Sequence, residues 1–176
     1  MLKKYPWVAA AVRNGLIAGV VGMMMLLGLY FLGRHPFLIP PYMDFRIVLF
    51  AVLLFITLKE FRDYFQEGTL YFWQGMFMSL IFTSIFGLVA FMVIWAFAGW
   101  SPRFVGSYIS LTLDQIKSIP PEIVERIGKA DYERSVKALP ATRGIDLALL
   151  YFWQSFAISF FISIIISVIL RRQPKT

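Results

Sequence analysis

Tyr71-Phe-Trp-Gln-Gly-Met-Phe-Met-Ser-Leu-Ile-Phe-Thr-Ser-Ile-Phe-Gly87 decides the fold, and it has an echo eighty positions on, where Tyr151-Phe-Trp-Gln154 opens a second run. Behind each tetrapeptide a small residue falls at every fourth place: Gly75, Ser79, Thr83 and Gly87 in the first copy, Ser155, Ser159, Ser163 and Ser167 in the second. Residues four apart stack on one face of a helix. Each copy therefore predicts an apolar helix carrying a groove of small side chains. Such grooves let backbones approach closely and let hydroxyls bond across. The two helices are expected to form the packing spine of a small membrane bundle. Gln74 and Gln154 are the most polar groups in them, each suited to a hydrogen bond with a neighbouring helix.

Composition places the rest of the chain in the same class. Of 176 residues, 59% are hydrophobic and 15% charged, and mean hydropathy is +0.72. A soluble domain is nearer about 45–50% apolar and about 25% charged. The net charge of +7 comes from residues lying mostly between apolar runs, which suits membrane orientation and not a nucleic-acid stripe. The absence of cysteine excludes disulfides, iron–sulfur clusters and thiolate metal sites. The single histidine, His35, cannot build a His-based metal site unaided. The chain is long enough for one domain.

Working outward, four spans are expected, over about 14–33, 44–58, 70–99 and 145–170, judged against the ~20 apolar residues a crossing helix needs. The first is longer than a secretory h-region and is followed by no A-x-A site, so it is expected to be retained. Gly15 and Gly19, extended back by Ala11, predict close helix packing, with a dimer seam as the alternative. Pro36, Pro40 and Pro41 interrupt helix after it. Asp44 is a plausible cap for the second span. Arg46, in its first turn, is expected to snorkel to water, with a buried functional charge as the alternative.

Residues 58–68 read as a solvated, charged turn in which Lys59 and Asp63 stand at i,i+4, with Gly68 ending one helix and Thr69 capping the next. A binding site for a lipid headgroup or partner is the other reading of that cluster. Trp7, Trp73, Trp95 and Trp100 are expected at the interfaces. Residues 101–144 form the one sizeable extramembrane segment. It reads as two amphipathic helices broken at Pro120-Pro121, with Glu122–Arg126, Glu125–Lys129 and Glu133–Lys137 as i,i+4 pairs. Its alternative roles are packing, a lid, or a docking surface.

Charge counts on the two sides tie. The residues nearest the first and last spans, Lys3, Lys4, Arg13, Arg171, Arg172 and Lys175, favour both termini in the cytoplasm. The spans carry no charged side chain within 14–33, 47–58, 68–102 or 147–170, and intramembrane acids and bases are what proton relays and membrane hydrolases need. No catalytic, cofactor or metal residue is singled out. The twin tetrapeptides raise an inverted repeat of the transporter kind, with related helix packing as the simpler reading.

Leu58-Lys-Glu-Phe-Arg-Asp63, then Gly68, then Leu70-Tyr-Phe-Trp-Gln-Gly75 resembles the bacterial membrane family catalogued as domain of unknown function 4199. The likeness covers nearly the whole chain and is most specific over Lys59–Gly75. It implies four spans, a charged segment before the last, and an inner-membrane location, and it gives no residue a role. The resulting expectation is an all-α bundle, a non-enzymatic accessory or scaffold subunit of an envelope complex in the bacterial inner membrane. Its partners would be membrane lipids and a membrane protein or a second copy, with no cofactor and no nucleic acid. The alternative is a small transporter or lipid-handling protein using the polar face of spans three and four.

Overall fold

The computed structural model describes the backbone of residues 6–173 and side chains from residue 8. Expectations resting on Lys3, Lys4, the Trp7 side chain and Lys175 fall outside the described residues. The described chain is helical: α1 (Pro6–Phe31), α2 (Phe45–Glu60), α3 (Phe72–Trp100), α4 (Pro102–Lys117), α5 (Pro121–Ile127), α6 (Lys129–Ala138) and α7 (Gly144–Leu170). Three of these, α1, α3 and α7, are long and apolar enough to cross a membrane. The expected second span is the exception. α2 has 16 residues, roughly 24 Å at 1.5 Å per residue, short of a ~30 Å hydrocarbon core.

Helix directions follow from the contacts. A Cβ on Gly15 would come within 2.8 Å of the Phe82 carbonyl oxygen, and one on Gly19 within 2.8 Å of Val89, while Tyr30 meets Phe97 further along. The pairs rise together, so α1 and α3 run parallel, and the glycines let the two backbones touch. α2 runs against both: Asn14 bonds Thr57, and Phe50 packs edge-to-face on Phe86 with centroids 4.7 Å apart while Leu58 lies beside Gly75. Gly15 and Gly19 therefore serve packing within one chain, at the face a dimer seam would have used.

The spine is the α3–α7 interface, the most extensive in the molecule. It is antiparallel and in step. Gly75 faces Ser167, where a Cβ would come within 2.5 Å of the hydroxyl oxygen. Ser79, Thr83, Ser159 and Ser163 line one shared void of about 70 Å³ with their neighbours. Thr83 and Ser159 hydrogen-bond directly across, and Gly87 makes room for the Phe152 ring. All eight predicted small residues are buried. At the exit of α7 the chain turns back onto the start of α3, where Leu70 and Arg172 exchange backbone hydrogen bonds of 2.9 and 3.1 Å.

The twin tetrapeptides are not structural equivalents. Tyr71 precedes α3, whereas Tyr151 sits two turns inside α7 and is buried. The resemblance between the helices lies in the period-four groove alone.

Two connections depart from expectation. After α2 the chain widens into a π-helical turn, Phe61–Phe65, which breaks the i,i+4 stacking. Asp63 bonds Arg62 in place of Lys59. Gly68 does end this segment, at φ +82°, but Thr69 turns back to the Gln66 carbonyl and Tyr71 takes the cap position of α3. In the segment between α3 and α7 the second expected amphipathic helix is split by Gly128, whose φ of +98° is a conformation that favours glycine. The split separates Glu125 from Lys129. Of the three expected pairs the structure forms Glu133–Lys137, at 3.9 Å. Asp131–Arg134 pairs beside it at 3.3 Å.

Candidate functional site

Pro40 and Pro41 open a short 3-10 turn that delivers Asp44 to the N-cap of α2. There its carboxylate accepts the Arg46 backbone N–H at 2.9 Å, as an N-cap should. Arg46 lies where the helix dipole disfavours a cation, and it does not snorkel. Its side chain is 5% exposed and pairs with Asp44, itself 16% exposed. Arg46 Nε donates to both Asp44 oxygens at 2.9 Å, and Nη2 donates to Oδ2 at 2.5 Å. The remaining donors cross to α7. Nη1 reaches Ser155 Oγ at 3.0 Å and the Tyr151 carbonyl at 3.3 Å, and Nη2 reaches Gln154 Oε1 at 3.2 Å. The guanidinium carbon stands 4.0 Å from the Tyr151 ring centroid, a cation–π distance.

The expectation of a snorkelling Arg46 is thus corrected, and the physical reason is complete partnering. A buried guanidinium is tolerated when its charge is paired and its N–H groups are bonded. Of the two glutamines, Gln154 reaches another helix as expected. Gln74 instead turns back on its own helix start, accepting the Tyr71 N–H at 3.0 Å, and touches Gln66 at 3.4 Å. At the N3 position an unpaired backbone N–H lies within reach, and capping it competes with any bond across the bundle.

His35 forms a second centre on the same side. It is 6% exposed, stacks on Phe104 with centroids 5.0 Å apart, and is flanked by Tyr30, Phe37 and Tyr108. Its Nε2 lies 3.1 Å from the Phe104 carbonyl oxygen, which requires the N–H on that nitrogen, and Nδ1 is buried with no partner. Burial holds its pKa below the ordinary imidazole range, and the bond to Phe104 offsets this in part. The imidazole fastens α4 to the connection between α1 and α2.

At the other end of α2, Asn14 Nδ2 donates to Thr57 Oγ1 at 3.0 Å and Arg13 pairs with Glu60. The Arg62 bond holds the Asp63 carboxyl below its usual range. Asp146 caps α7, accepting the Arg143 N–H at 2.8 Å. Arg46, Asp146 and the Lys59–Asp63 charges are therefore not brought around one pocket. Among the described residues no three His, Cys, Asp or Glu side chains converge as metal ligands would. What the Arg46 centre does chemically is clamp: each guanidinium nitrogen is bonded, while the hydroxyl of the Tyr151 ring beneath it is buried with no partner among the described residues.

Sequence reading missed the Asn14–Thr57 contact and the aromatic enclosure of His35. A polar Asn at the mouth of an apolar run was the available signal for the first. The second joins residues from three separate stretches and left none.

A helical chain with three membrane-length apolar segments, locked by an internal ion pair, has the make-up of an integral membrane protein. Residues 13–172 match the family described as Protein of unknown function (DUF4199), and the chain belongs to it. No curated protein and no solved structure matches the chain.

Proposed function

We propose that this chain is a non-enzymatic accessory or scaffold subunit of a bacterial envelope complex. It sits in the inner membrane by four crossings, with both termini cytoplasmic and α4–α6 on the periplasmic side. The fourth crossing is supported by direction. If parallel neighbours α1 and α3 both traverse the bilayer, the chain must return between them, and α2 is the antiparallel helix on that path. A 16-residue crossing is accommodated by local thinning of the bilayer and by end residues reaching outward.

The scaffold reading is carried by the α5–α6 arm. Neither helix has a buried residue, and Ile123 and Ile127 stand 45% and 53% exposed. The Arg46 guanidinium, the one buried cation of the bundle among the described residues, is meanwhile bonded at every nitrogen. An apolar stripe on a charged, outlying arm is what a docking surface for a protein partner needs.

The test is purification from native membranes in mild detergent, with identification of co-eluting proteins. An Ile123→Glu/Ile127→Glu variant should keep the wild-type melting temperature and lose the partner. An unchanged set of co-eluting proteins, or none with the wild type, overturns the reading.

A further inference from the structure

Between α1 and α2 a groove runs along about half the length of each helix. Its upper part, about 620 Å³, is lined by Gly28 and Leu29 of α1, by Leu32 just past the end of that helix, and by Leu38, Ile39 and Met43 of the connection. Its lower part, about 520 Å³, is lined by Ile17 and Val21 of α1 and by Val48, Leu49 and Val52 of α2. Met25 and Phe45 line both parts and join them. From Ile17 to Leu29 of α1 the groove is about 18 Å long, at 1.5 Å per residue. That exceeds the ~15 Å of one leaflet's hydrocarbon.

Two observations say what fills it. The first is charge. Arg34 stands at the upper end of this apolar wall and lines the cleft, and its side chain makes no ion pair or hydrogen bond among the described residues. A guanidinium with no partner of its own at the mouth of an apolar channel complements an anionic head on a hydrocarbon tail. The second is Gly28. Gly15, Gly19 and Gly22 of the same helix press on neighbours, but a Cβ on Gly28 would meet nothing within 4 Å. Helix packing does not require a glycine there. Its missing side chain opens the channel.

We propose that this groove holds one anionic phospholipid, with an acyl chain along α1 and α2 and its phosphate on Arg34. The inference rests on the reading of α1 and α2 as membrane crossings, and the two fail differently. Release of the chain from membranes without detergent would sink the crossings. A wild-type chain that stays in the membrane but shows no lipid selectivity would sink the groove alone.

The experiment uses full-length protein, delipidated in detergent and titrated with dioleoyl phosphatidylglycerol or dioleoyl phosphatidylcholine, read by native mass spectrometry. The wild type should retain one phosphatidylglycerol per chain, with about tenfold preference over the zwitterionic lipid, the size of one charge-assisted contact. Arg34→Gln should erase the preference. Gly28→Leu should abolish retention of the bound lipid while melting no lower than wild type, since it also replaces a helical glycine. Val48→Trp, at a position 68% exposed, should do the same from the lower half. Equal retention by these variants, or an unaltered preference in Arg34→Gln, overturns the proposal. So does a dimer that phosphatidylglycerol fails to dissociate, since a second copy would then be the occupant.

Discussion

Replacing Asp44 by Asn isolates the charge at the α2 start from everything else that residue does. Asn remains a good N-cap and keeps one oxygen facing Arg46, so shape and capping persist while the counter-charge goes. Arg46 is then a cation with a 5% exposed side chain, held by Ser155, Gln154, a carbonyl and the Tyr151 ring. Breaking a buried pair by removing one partner costs about 3–5 kcal/mol. Asp44 is partly hydrated and the neutral contacts survive, so the lower end applies, near 3 kcal/mol. A chain of this size loses some 2–4 °C per kcal/mol, which sets the expected fall at about 6–12 °C. The assay is thermal unfolding in detergent followed by tryptophan fluorescence. Adding Arg46→Met to Asp44→Asn removes the stranded cation and leaves an apolar stem against Tyr151, so the double variant should recover most of the loss. A single variant within about 1 °C of wild type, or a double variant less stable than the single, refutes the view of Arg46 as a fully partnered buried charge.

Thr83→Val and Ser159→Ala should each destabilise and, combined, show a coupling of about 0.6–2 kcal/mol in a double-mutant cycle. Zero coupling would mean the hydroxyls do not bond across the seam. His35, held below the ordinary imidazole range by burial, binds its proton less readily folded than unfolded. Its contribution is therefore intact above the ordinary imidazole value of about 6.5 and declines as pH falls from there toward the lower folded pKa. His35→Phe should lack that decline, so its melting temperature relative to wild type should rise between about pH 8 and pH 5. A constant difference would place the imidazole in contact with water.

What the sequence revealed was local or periodic. Four small residues in phase on each of two helices specify a seam whatever else surrounds them, and Gly15 and Gly19 specify a close approach. Asp44 after two prolines announces a cap. Arg46 was misread because snorkelling weighs the distance to water and ignores partners 105 and 109 positions away. Gln74 failed for the opposite reason: a partner three positions away outcompeted the long-range one. Gly128 cut an otherwise helical pattern through backbone geometry that side-chain spacing does not record. Helix direction, which relates α2 to its neighbours, became legible from which residues touch.

The antiparallel pairing of α3 with α7 also fixes a timetable. The groove of α3 and the Arg46 contacts beyond Asp44 find their partners only in α7, which is made after both. Until then the newborn protein carries a bare hydroxyl furrow and half of a clamp. A copy cut short before residue 155 lacks both the Ser155 contact to Arg46 and the Ser159 contact to Thr83. Final locking is deferred to the moment when Leu70 and Arg172 close the chain on itself.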